Sequence, residues 1–340
     1  MRIAPDEDAL EFAAGVRELL ADLAGPAPLR VAWDDADGRI RGVWKRLAET
    51  GVLGLTVPEE YGGSGADLTS LLPVLVEVGR AALPEPVVET VVGARMLAHA
   101  GGPIAEDWLP KVVAGDAVIA TRLGPGDLVS AAPWADLLIV VDGAGLHCAV
   151  ESGDLELIAA ESVDRGVRLA TITPPHGKGV VLGGTDADAA FNFASVAVAA
   201  QLTGLAEAML DTSVRYANTR EQFGVPIGSF QAIKHQLADV FVANSFAAPV
   251  VARAAWSVAQ DSPSMTRDAS HAKYAATVAA QRAARTALQV HAGIGYTFEH
   301  DLHMWMKRTW TLSSLWGTAA WHKERVAQSL LAPSSPTQVA

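Results

Sequence analysis

The amino-acid sequence predicts a mainly α-helical fold with a small antiparallel β domain in the middle of the chain. Three observations support this prediction: apolar residues recur at helical spacing in both outer parts, short β-prone runs occupy the centre, and Gly and Pro separate these runs. The chain has 340 residues, 50% hydrophobic and 19% charged, so it can bury a sizeable core. We expect an N-terminal helical domain at 1–115, a truncated β domain at 116–184, a C-terminal four-helix bundle at 185–332 and a flexible tail at 333–340.

The N-terminal part is predicted to be helical. Apolar residues between 10 and 23 share one face of a first helix, and a second helix carries Trp44. A Pro and three Gly make 57–65 a loop, because they exclude a regular element. Longer helices are expected over 68–80 and 91–100.

The central part changes character. Clusters of Gly, Pro and Asp separate short apolar runs that are rich in β-branched residues, a pattern typical of a small antiparallel β domain. The predicted strands cover 117–120, 137–141, 146–150, 155–158 and 167–172.

The C-terminal part is predicted to form the bundle. Thr185 or Asp186 can cap a helix that runs to about residue 218, and a turn at 224–229 precedes the returning helix. Two Ala-rich helices are expected to follow over 267–292 and 301–331. Four antiparallel helices with short connections form a bundle, and alanines allow them to pack closely.

Charge and cysteine content exclude several functions. The net charge is -12, with 26 Lys and Arg against 38 Asp and Glu, and no basic stripe indicates nucleic-acid binding. Cys148 is the only cysteine, which excludes an internal disulfide and favours a reducing cytoplasm. The N-terminus is acidic and lacks the apolar core of a signal peptide. The uncharged run at 189–206 is long enough to span a membrane, but polar residues such as Asn192 and Gln201 interrupt it, so we expect a buried helix.

Two motifs in the C-terminal part carry most of the functional information. Residues 219–231 read Thr-Arg-Glu-Gln-Phe-Gly-Val-Pro-Ile-Gly-Ser-Phe-Gln, and residues 289–297 read Gln-Val-His-Ala-Gly-Ile-Gly-Tyr-Thr. The first closely resembles the R-x-x-F-G-x-x-I-x-x-F-Q signature of the acyl-CoA dehydrogenase family. The second resembles its Q-x-x-G-G-x-G-Y-T loop, with Ala292 in place of one glycine. A Tyr-Gly-Gly element at Tyr61 extends the resemblance to nearly the whole chain and implies the fold of that family.

In that family, both motifs reach across a subunit interface and hold the ADP half of the neighbour's FAD. The resemblance therefore implies FAD as the cofactor, with Arg220 paired to the pyrophosphate through its fork of donors. The implied cofactor-binding residues are Arg220, Gln222, Phe223, Phe230, Gln231, Gln289 and Gly293. Simpler roles exist, since Arg220 could complete a helix dipole and Gly293 could be a turn residue. The two motifs together favour the cofactor role.

The chain departs from the family at the catalytic base. Family members abstract the α-proton of the acyl-CoA with a glutamate, while the flavin takes the β-hydride. Counting from Gly293 puts the usual position of that glutamate at Trp316, and counting back from Arg220 puts the alternative position at Ala194, beside Ser195. Neither position can accept a proton, so we expect no catalytic base in this chain. A positioned general base is worth roughly 10²–10⁴-fold in rate, so its loss matters.

The β domain departs from the family as well. The loop that resembles T-E-P-x-x-G-S-D in relatives corresponds to 120–128, where only Pro125 and Asp127 remain of the pattern. Trp134 lies near the position of the aromatic residue that stacks on the flavin ring. We therefore expect the flavin-ring pocket of this chain to be incomplete.

This combination resembles the small, base-lacking subunit of heteromeric (α2β2) acyl-CoA dehydrogenases of actinobacterial steroid degradation. The resemblance implies a second acyl-CoA dehydrogenase-like subunit that carries the catalytic glutamate and binds an acyl-CoA that is steroid-derived or bulky in another way. An electron-transfer flavoprotein-type acceptor is compatible with it, and the single cysteine makes a cytoplasmic location the expectation. Two alternatives stay open: a homo-oligomeric FAD-binding enzyme with altered chemistry or an unrecognised base, and a structural subunit without flavin. No metal site is expected, because His291, His300 and His303 do not have the repeated spacing that would place metal ligands on one face of a helix.

Overall fold

The computed structural model describes residues 3–123, 126–141, 147–173 and 179–331. The predicted tail at 333–340 lies outside them. The helices of these residues are α1 (Glu7–Leu23), α2 (Pro26–Asp34), α3 (Val43–Glu49), α4 (Leu68–Arg80), α5 (Val87–Ala100), α6 (Gly102–Val113), α7 (Ala187–Thr219), α8 (Gln231–Ala259), α9 (Met265–His291), α10 (Leu302–Ser314) and α11 (Ala319–Leu331). The strands are β1 (Ile119–Thr121), β2 (Leu128–Ser130), β3 (Leu137–Val141), β4 (His147–Glu151), β5 (Leu157–Ala160), β6 (Leu169–Ile172), β7 (Val180–Val181), β8 (Glu221–Gln222) and β9 (Val225–Pro226). The predicted fold class, mainly α with a small β domain, is confirmed.

Helices α1 to α6 form the N-terminal part. The side chain of Asp6 caps α1 by accepting a hydrogen bond from the backbone N–H of Ala9 at 2.8 Å. Helix α1 packs against α4, and α4 packs in turn against α7. Gly204 of α7 makes this second contact close, because a Cβ atom at that position would lie 1.9 Å from the carbonyl oxygen of Val76. The N-terminal part and the bundle therefore share one tightly packed boundary.

Seven short strands between α6 and α7 form two small sheets. The first has the order β1-β3-β4-β7 and the second the order β2-β6-β5. Their pairings are antiparallel, as expected, except that β1 and β3 run parallel with Ile119 opposite Leu137. The reason is that the chain leaves the first sheet to form β2 before β3 returns to it. The sequence did not predict β2 or β7, which have three and two residues and are too short for a periodic pattern.

The C-terminal part is built around α7. Asp186 caps this helix, as one of the two predicted candidates, by accepting a hydrogen bond from Ala189 N–H at 3.0 Å. Helices α8 and α9 pack against α7 and against each other, and α10 and α11 pack on α9. The prediction of one continuous helix over 301–331 is wrong. Trp316 and Gly317 have φ of 57° and 91°, which interrupts the helix and divides the fourth member of the bundle into α10 and α11.

Two helices of the bundle are long and apolar enough to span a membrane by length and composition. In α7, 83% of the apolar window is buried inside the fold, so core packing explains its composition, as expected for the run at 189–206. In α8, only 28% of the corresponding window is buried. The outer face of α8 carries exposed Phe241, Val242 and Phe246. An apolar surface of this kind indicates contact with another macromolecule.

Candidate functional site

The first motif forms an exposed arm at the C-terminal end of α7. Strands β8 and β9 pair as a two-residue hairpin, with Gln222 opposite Val225. The tip residues Phe223 and Gly224 have φ of 54° and 78°, the left-handed conformation that a tight hairpin with this twist requires. The backbone N–H of Ile227 donates to the carbonyl oxygen of Arg220 at 2.8 Å and closes the base of the arm. The sequence therefore folds the motif into a short, rigid projection.

The side chains of the arm point away from the rest of the chain. Phe223 is 93% exposed and meets Phe230 edge to face, with ring centroids 6.2 Å apart. Arg220 is exposed, and its guanidinium has no acidic partner among the described residues. The end of α7 is capped by the backbone N–H of Arg220, which donates to Tyr216 O, so helix capping leaves the guanidinium free to bind elsewhere. Gln231 is exposed as well.

The second motif forms the C-terminal end of α9 and the turn that follows. Gln289 is exposed, and nothing lies within 4 Å of the place where a Cβ of Gly293 would be. The positive φ in this turn, 53°, belongs to Ala292, the residue that stands in place of a family glycine, and not to Gly293. Gly293 therefore has no turn-forming or packing requirement within this chain, which leaves close approach by an external group as a reason for glycine here.

A ring cluster joins the two motifs at one end of the bundle. Tyr216, one turn before Arg220, stacks on His291 with centroids 4.4 Å apart, and His300 lies 4.7 Å from His291. His291 is buried, its Nδ1 lies 2.8 Å from Ala287 O, and its Nε2 has no partner. Burial lowers the pKa of His291, which favours the neutral ring. The sequence analysis missed the structural role of Tyr216 and His291, although His291 lies inside the quoted motif.

A cavity of about 490 Å³ lies between the β domain and the end of α10. Residues that bear on its chemistry are Thr121, Ser130, Ser162, Trp310, Thr311 and Trp316. Trp316, which the count along the sequence assigns to the usual base position, forms part of its wall. Ala194 is fully buried within α7 and is not among the cavity residues, and the hydroxyl of neighbouring Ser195 donates to Phe191 O at 2.8 Å.

The acidic residues at this cavity are Asp127 and Glu161, both exposed. Asp127 forms an ion pair with Arg122 at 2.6 Å. A third carboxyl, Glu89 of α5, lies behind the wall and accepts a hydrogen bond from Ser130 Oγ at 2.6 Å. Burial raises the pKa of Glu89, which favours its protonated form. The sequence analysis overlooked Glu89, although a glutamate between Val88 and Val91 in an apolar helix is an identifiable signal.

The fit of the cavity to a flavin ring is mixed. The hydroxyl of Thr121 is buried, lines the cavity and has no hydrogen-bond partner among the residues that the structure describes, so it can serve a ligand. The hydroxyl of Ser130 already donates to Glu89. Trp134, the candidate stacking residue, is not a cavity residue, because its Nε1 donates to Asp37 O at 2.9 Å and holds the ring toward the N-terminal part. Within the described ranges, no group of three His, Cys, Asp or Glu side chains could hold a metal ion.

Comparison with known proteins identifies both helical parts. The family model "Acyl-CoA dehydrogenase, N-terminal domain" matches residues 6–116, and the model "Acyl-CoA dehydrogenase, C-terminal domain" matches residues 183–331. Acyl-CoA dehydrogenase IpdE2 of Mycobacterium tuberculosis is 35% identical and aligns over 89% of this chain and 91% of its own length. Acyl-CoA dehydrogenase FadE27 of the same organism is 28% identical over 85% of this chain and 88% of its own length.

Solved structures agree with these relatives. A chain of the ChsE4–ChsE5 complex from Mycobacterium tuberculosis superposes with a TM-score of 0.90 at 26% identity, covering 98% of this chain and 100% of that chain. A chain of the Tcur3481–Tcur3483 steroid ACAD superposes with a TM-score of 0.87 at 26% identity, covering 95% of this chain and 98% of that chain. The matches span both motifs and the fold around them, and the chain belongs to the acyl-CoA dehydrogenase family.

Proposed function

We propose that this chain is the subunit of a heteromeric, FAD-dependent acyl-CoA dehydrogenase that completes the partner's FAD site without supplying the catalytic base. The main support for the proposal is a contrast between the two motifs and the two positions at which we expect the base. The nucleotide-binding motifs are folded and exposed, whereas Trp316 and Ala194 occupy the two base positions. A chain that kept its own full active site would have a carboxylate at one of them.

The arm and the turn after α9 would hold the ADP half of FAD bound in the neighbouring subunit. Arg220 would pair with the pyrophosphate, because its fork of donors has no intrachain acid to satisfy it. The edge-to-face pair Phe223 and Phe230 would cover apolar surface beside the adenine. Gln222 and Gln231 would offer amide groups there, while Gln289 and the open backbone at Gly293 would approach from the other motif. When bound, FAD accepts the hydride that leaves the β-carbon of the acyl-CoA.

The partner we propose is a second acyl-CoA dehydrogenase-like subunit that carries the catalytic glutamate. The exposed aromatic face of α8 supports an obligate assembly, since Phe241 and Phe246 are 62% and 74% exposed. The ChsE4–ChsE5 and Tcur3481–Tcur3483 structures each contain two differently named proteins and match this chain closely. In such an assembly, a chain that lacks the catalytic base depends on a partner chain that supplies it.

The proposed substrate is a bulky acyl-CoA, with a steroid-derived acyl group as the first class to test. The Tcur3481–Tcur3483 protein, which this chain resembles, is a steroid ACAD, and this supports the choice. The substrate would lie in the partner's pocket, and electrons would leave the flavin to an electron-transfer flavoprotein-type acceptor. We infer a cytoplasmic location, because a chain with one cysteine cannot form an internal disulfide and is compatible with a reducing environment.

A second candidate function is a homo-oligomer in which each chain binds its own FAD and performs altered chemistry. The unpartnered hydroxyl of Thr121 in the cavity wall favours this alternative. It predicts one flavin per chain.

Flavin counting separates these functions. The chain is co-expressed with a family member encoded beside it, and FAD is quantified per assembly after purification. One FAD per two chains, together with loss of activity on bulky acyl-CoA thioesters when the partner's glutamate is replaced by glutamine, is the expected result. One FAD per chain in the chain expressed alone would favour the homo-oligomer. A stable complex that contains no flavin would indicate that the chain is a structural subunit.

A further inference from the structure

Lys273 is a fully buried lysine in the middle of α9. Its neighbours on the inner face of the helix are small, including Ala269, Ala272 and Ala276. Nothing in the proposed flavin or substrate contacts uses this amine, and a charged group of this kind is buried only when it has partners. Its surroundings therefore indicate its role.

The partners of Lys273 are backbone carbonyl groups next to the cavity. Its Nζ lies 2.9 Å from Leu312 O, 3.4 Å from Ser313 O and 3.2 Å from Gly317 O. Leu312 and Ser313 belong to the last turn of α10, where carbonyl groups have no partner within the helix. An amine on a lysine side chain donates to carbonyl oxygens, and all three contacts of Lys273 Nζ are of this kind. Lys273 thus connects α9 to the end of α10 and to the following turn.

That turn, residues 315–318, has a second contact from α11. His322 of α11 is buried, and its Nε2 lies 2.8 Å from Trp316 O. Burial lowers the pKa of His322 to about 4, so the ring is neutral at physiological pH and Nε2–H donates this hydrogen bond. Gly317 sits directly against the ring, because a Cβ at this position would lie 2.7 Å from His322 Nε2.

The turn needs such support, because Trp316 has a φ of 57°. The left-handed conformation is an outlier for a bulky residue and persists only where the surroundings impose it. Leu315 and Trp316 both line the 490 Å³ cavity. A turn that relaxed to a negative φ at Trp316 would move the indole ring out of its present place in the wall.

We propose that Lys273 and His322 are positioning residues that hold the turn 315–318 in its left-handed conformation and so fix Trp316 in the cavity wall. The importance of that wall rests on the proposed function, in which Trp316 occupies the position of the lost base. The contacts of Lys273 and His322 with the turn lie within this chain alone. Their role is therefore testable without flavin, substrate or partner.

The test follows Trp316 directly by ¹⁹F NMR of the full chain labelled with 5-fluorotryptophan, with the line of Trp316 assigned by Trp316→Phe. In Lys273→Met, which keeps the length of the side chain and removes the donors, we expect the Trp316 line to shift or split. The line of Trp44, which lies in α3 of the N-terminal part, should stay in place. Thr277→Ala is the matched control, because Thr277 is buried one turn further along α9 and its hydroxyl has no partner.

A second pair of variants keeps the test decisive if Lys273→Met does not fold. His322→Leu removes the donor to Trp316 O, and His322→Gln keeps an N–H donor while removing the same ring. We expect the Trp316 line to move in the leucine variant and to return toward the wild-type position in the glutamine variant. An unchanged Trp316 line in folded Lys273→Met, or in His322→Leu, overturns the proposal. Flavin counts bear only on the proposed function, so failures of the two ideas are distinguishable.

Discussion

The arm at the end of α7 and the cavity beside the β domain differ in how their residues are satisfied. Arm residues such as Arg220 and Phe223 are exposed and make few contacts within the chain. Cavity residues are tied to their own fold, since Ser130 donates to Glu89 and the turn at Trp316 is held by Lys273 and His322. Side chains of the arm are thus free to contact another molecule, whereas these cavity residues are bound to neighbouring groups of their own chain. Mutations should therefore affect binding in one region and folding in the other.

The largest effect is expected for Arg220→Ala in the assembled complex. Loss of a charge-assisted bond to the pyrophosphate should weaken FAD retention by about 1.5–3 kcal/mol, or roughly tenfold to a hundredfold. Flavin content after gel filtration and the Kd from FAD titration measure this change. The melting temperature of the flavin-free chain should stay the same. Arg215→Ala is the matched control, since Arg215 is an exposed arginine near the same end of α7. Equal flavin retention in both variants would remove the arm from the cofactor site.

On the cavity side, Lys273 should make stability depend on pH. Burial lowers its pKa from 10.5 to about 7, so between these values the unfolded chain binds more protons than the folded chain. Stability should therefore rise with pH in this window, by up to about 1.4 kcal/mol per unit. From pH 7.5 to 9 the gain is roughly 2 kcal/mol.

Urea unfolding at several pH values measures this gain, with Lys273→Met as the reference. The difference between wild type and variant isolates Lys273, because other groups with lowered pKa, such as Lys307, are common to both. Flavin affinity in the complex should be less sensitive to Lys273→Met than to Arg220→Ala. Parallel stability curves for the two chains would show that Lys273 does not titrate in this range.

These contrasts also mark what the sequence could predict. A turn at 224–229 was predicted from its Gly and Pro residues, and the structure has a hairpin and turn at this point, whereas the positive φ of Phe223, a bulky residue, could not be predicted from local rules. Helix α4 was predicted at its observed bounds, since apolar residues recur at helical spacing within the segment itself. The motif residues can thus be located from sequence, while their cofactor contacts stay a prediction.

The contacts around the cavity could not be predicted from local sequence. Lys273 lies 39 residues from Leu312, and Glu89 lies 41 residues from Ser130, so tertiary packing brings these groups together. The break between α10 and α11 has the same origin. The alanines and aromatic residues of 301–331 have a helical period throughout, but side chains from α9 and α11 hold Trp316 in a conformation that ends a helix. One local indication of these contacts was present in the sequence, because Lys273 is a charged residue on the alanine-rich inner face of α9.

A smaller effect is expected for Phe223→Ala. Phe223 is 93% exposed, so its removal should not change the unfolding free energy of the isolated chain. In the complex, loss of the aromatic contact should weaken FAD binding by about 0.5–1.5 kcal/mol, a twofold to tenfold increase in Kd. Ile158→Ala, at an exposed apolar residue of β5 in the β domain, is the control. A loss of isolated-chain stability instead would mean that Phe223 packs within its own fold.

The smallest change is expected for Trp316→Glu, which introduces a carboxylate at the position where we expect the base of relatives to lie. A base alone should not produce dehydrogenation by this chain, because Ser130 is committed to Glu89 and Trp134 is turned toward the N-terminal part. Activity of the variant, expressed alone with added FAD and assayed with acyl-CoA thioesters, should stay at background. In the complex it should not exceed the activity that the partner's glutamate supplies. Turnover by the lone variant would mean that the cavity binds a flavin ring productively, and the contrast between the two regions would then reduce to one missing side chain.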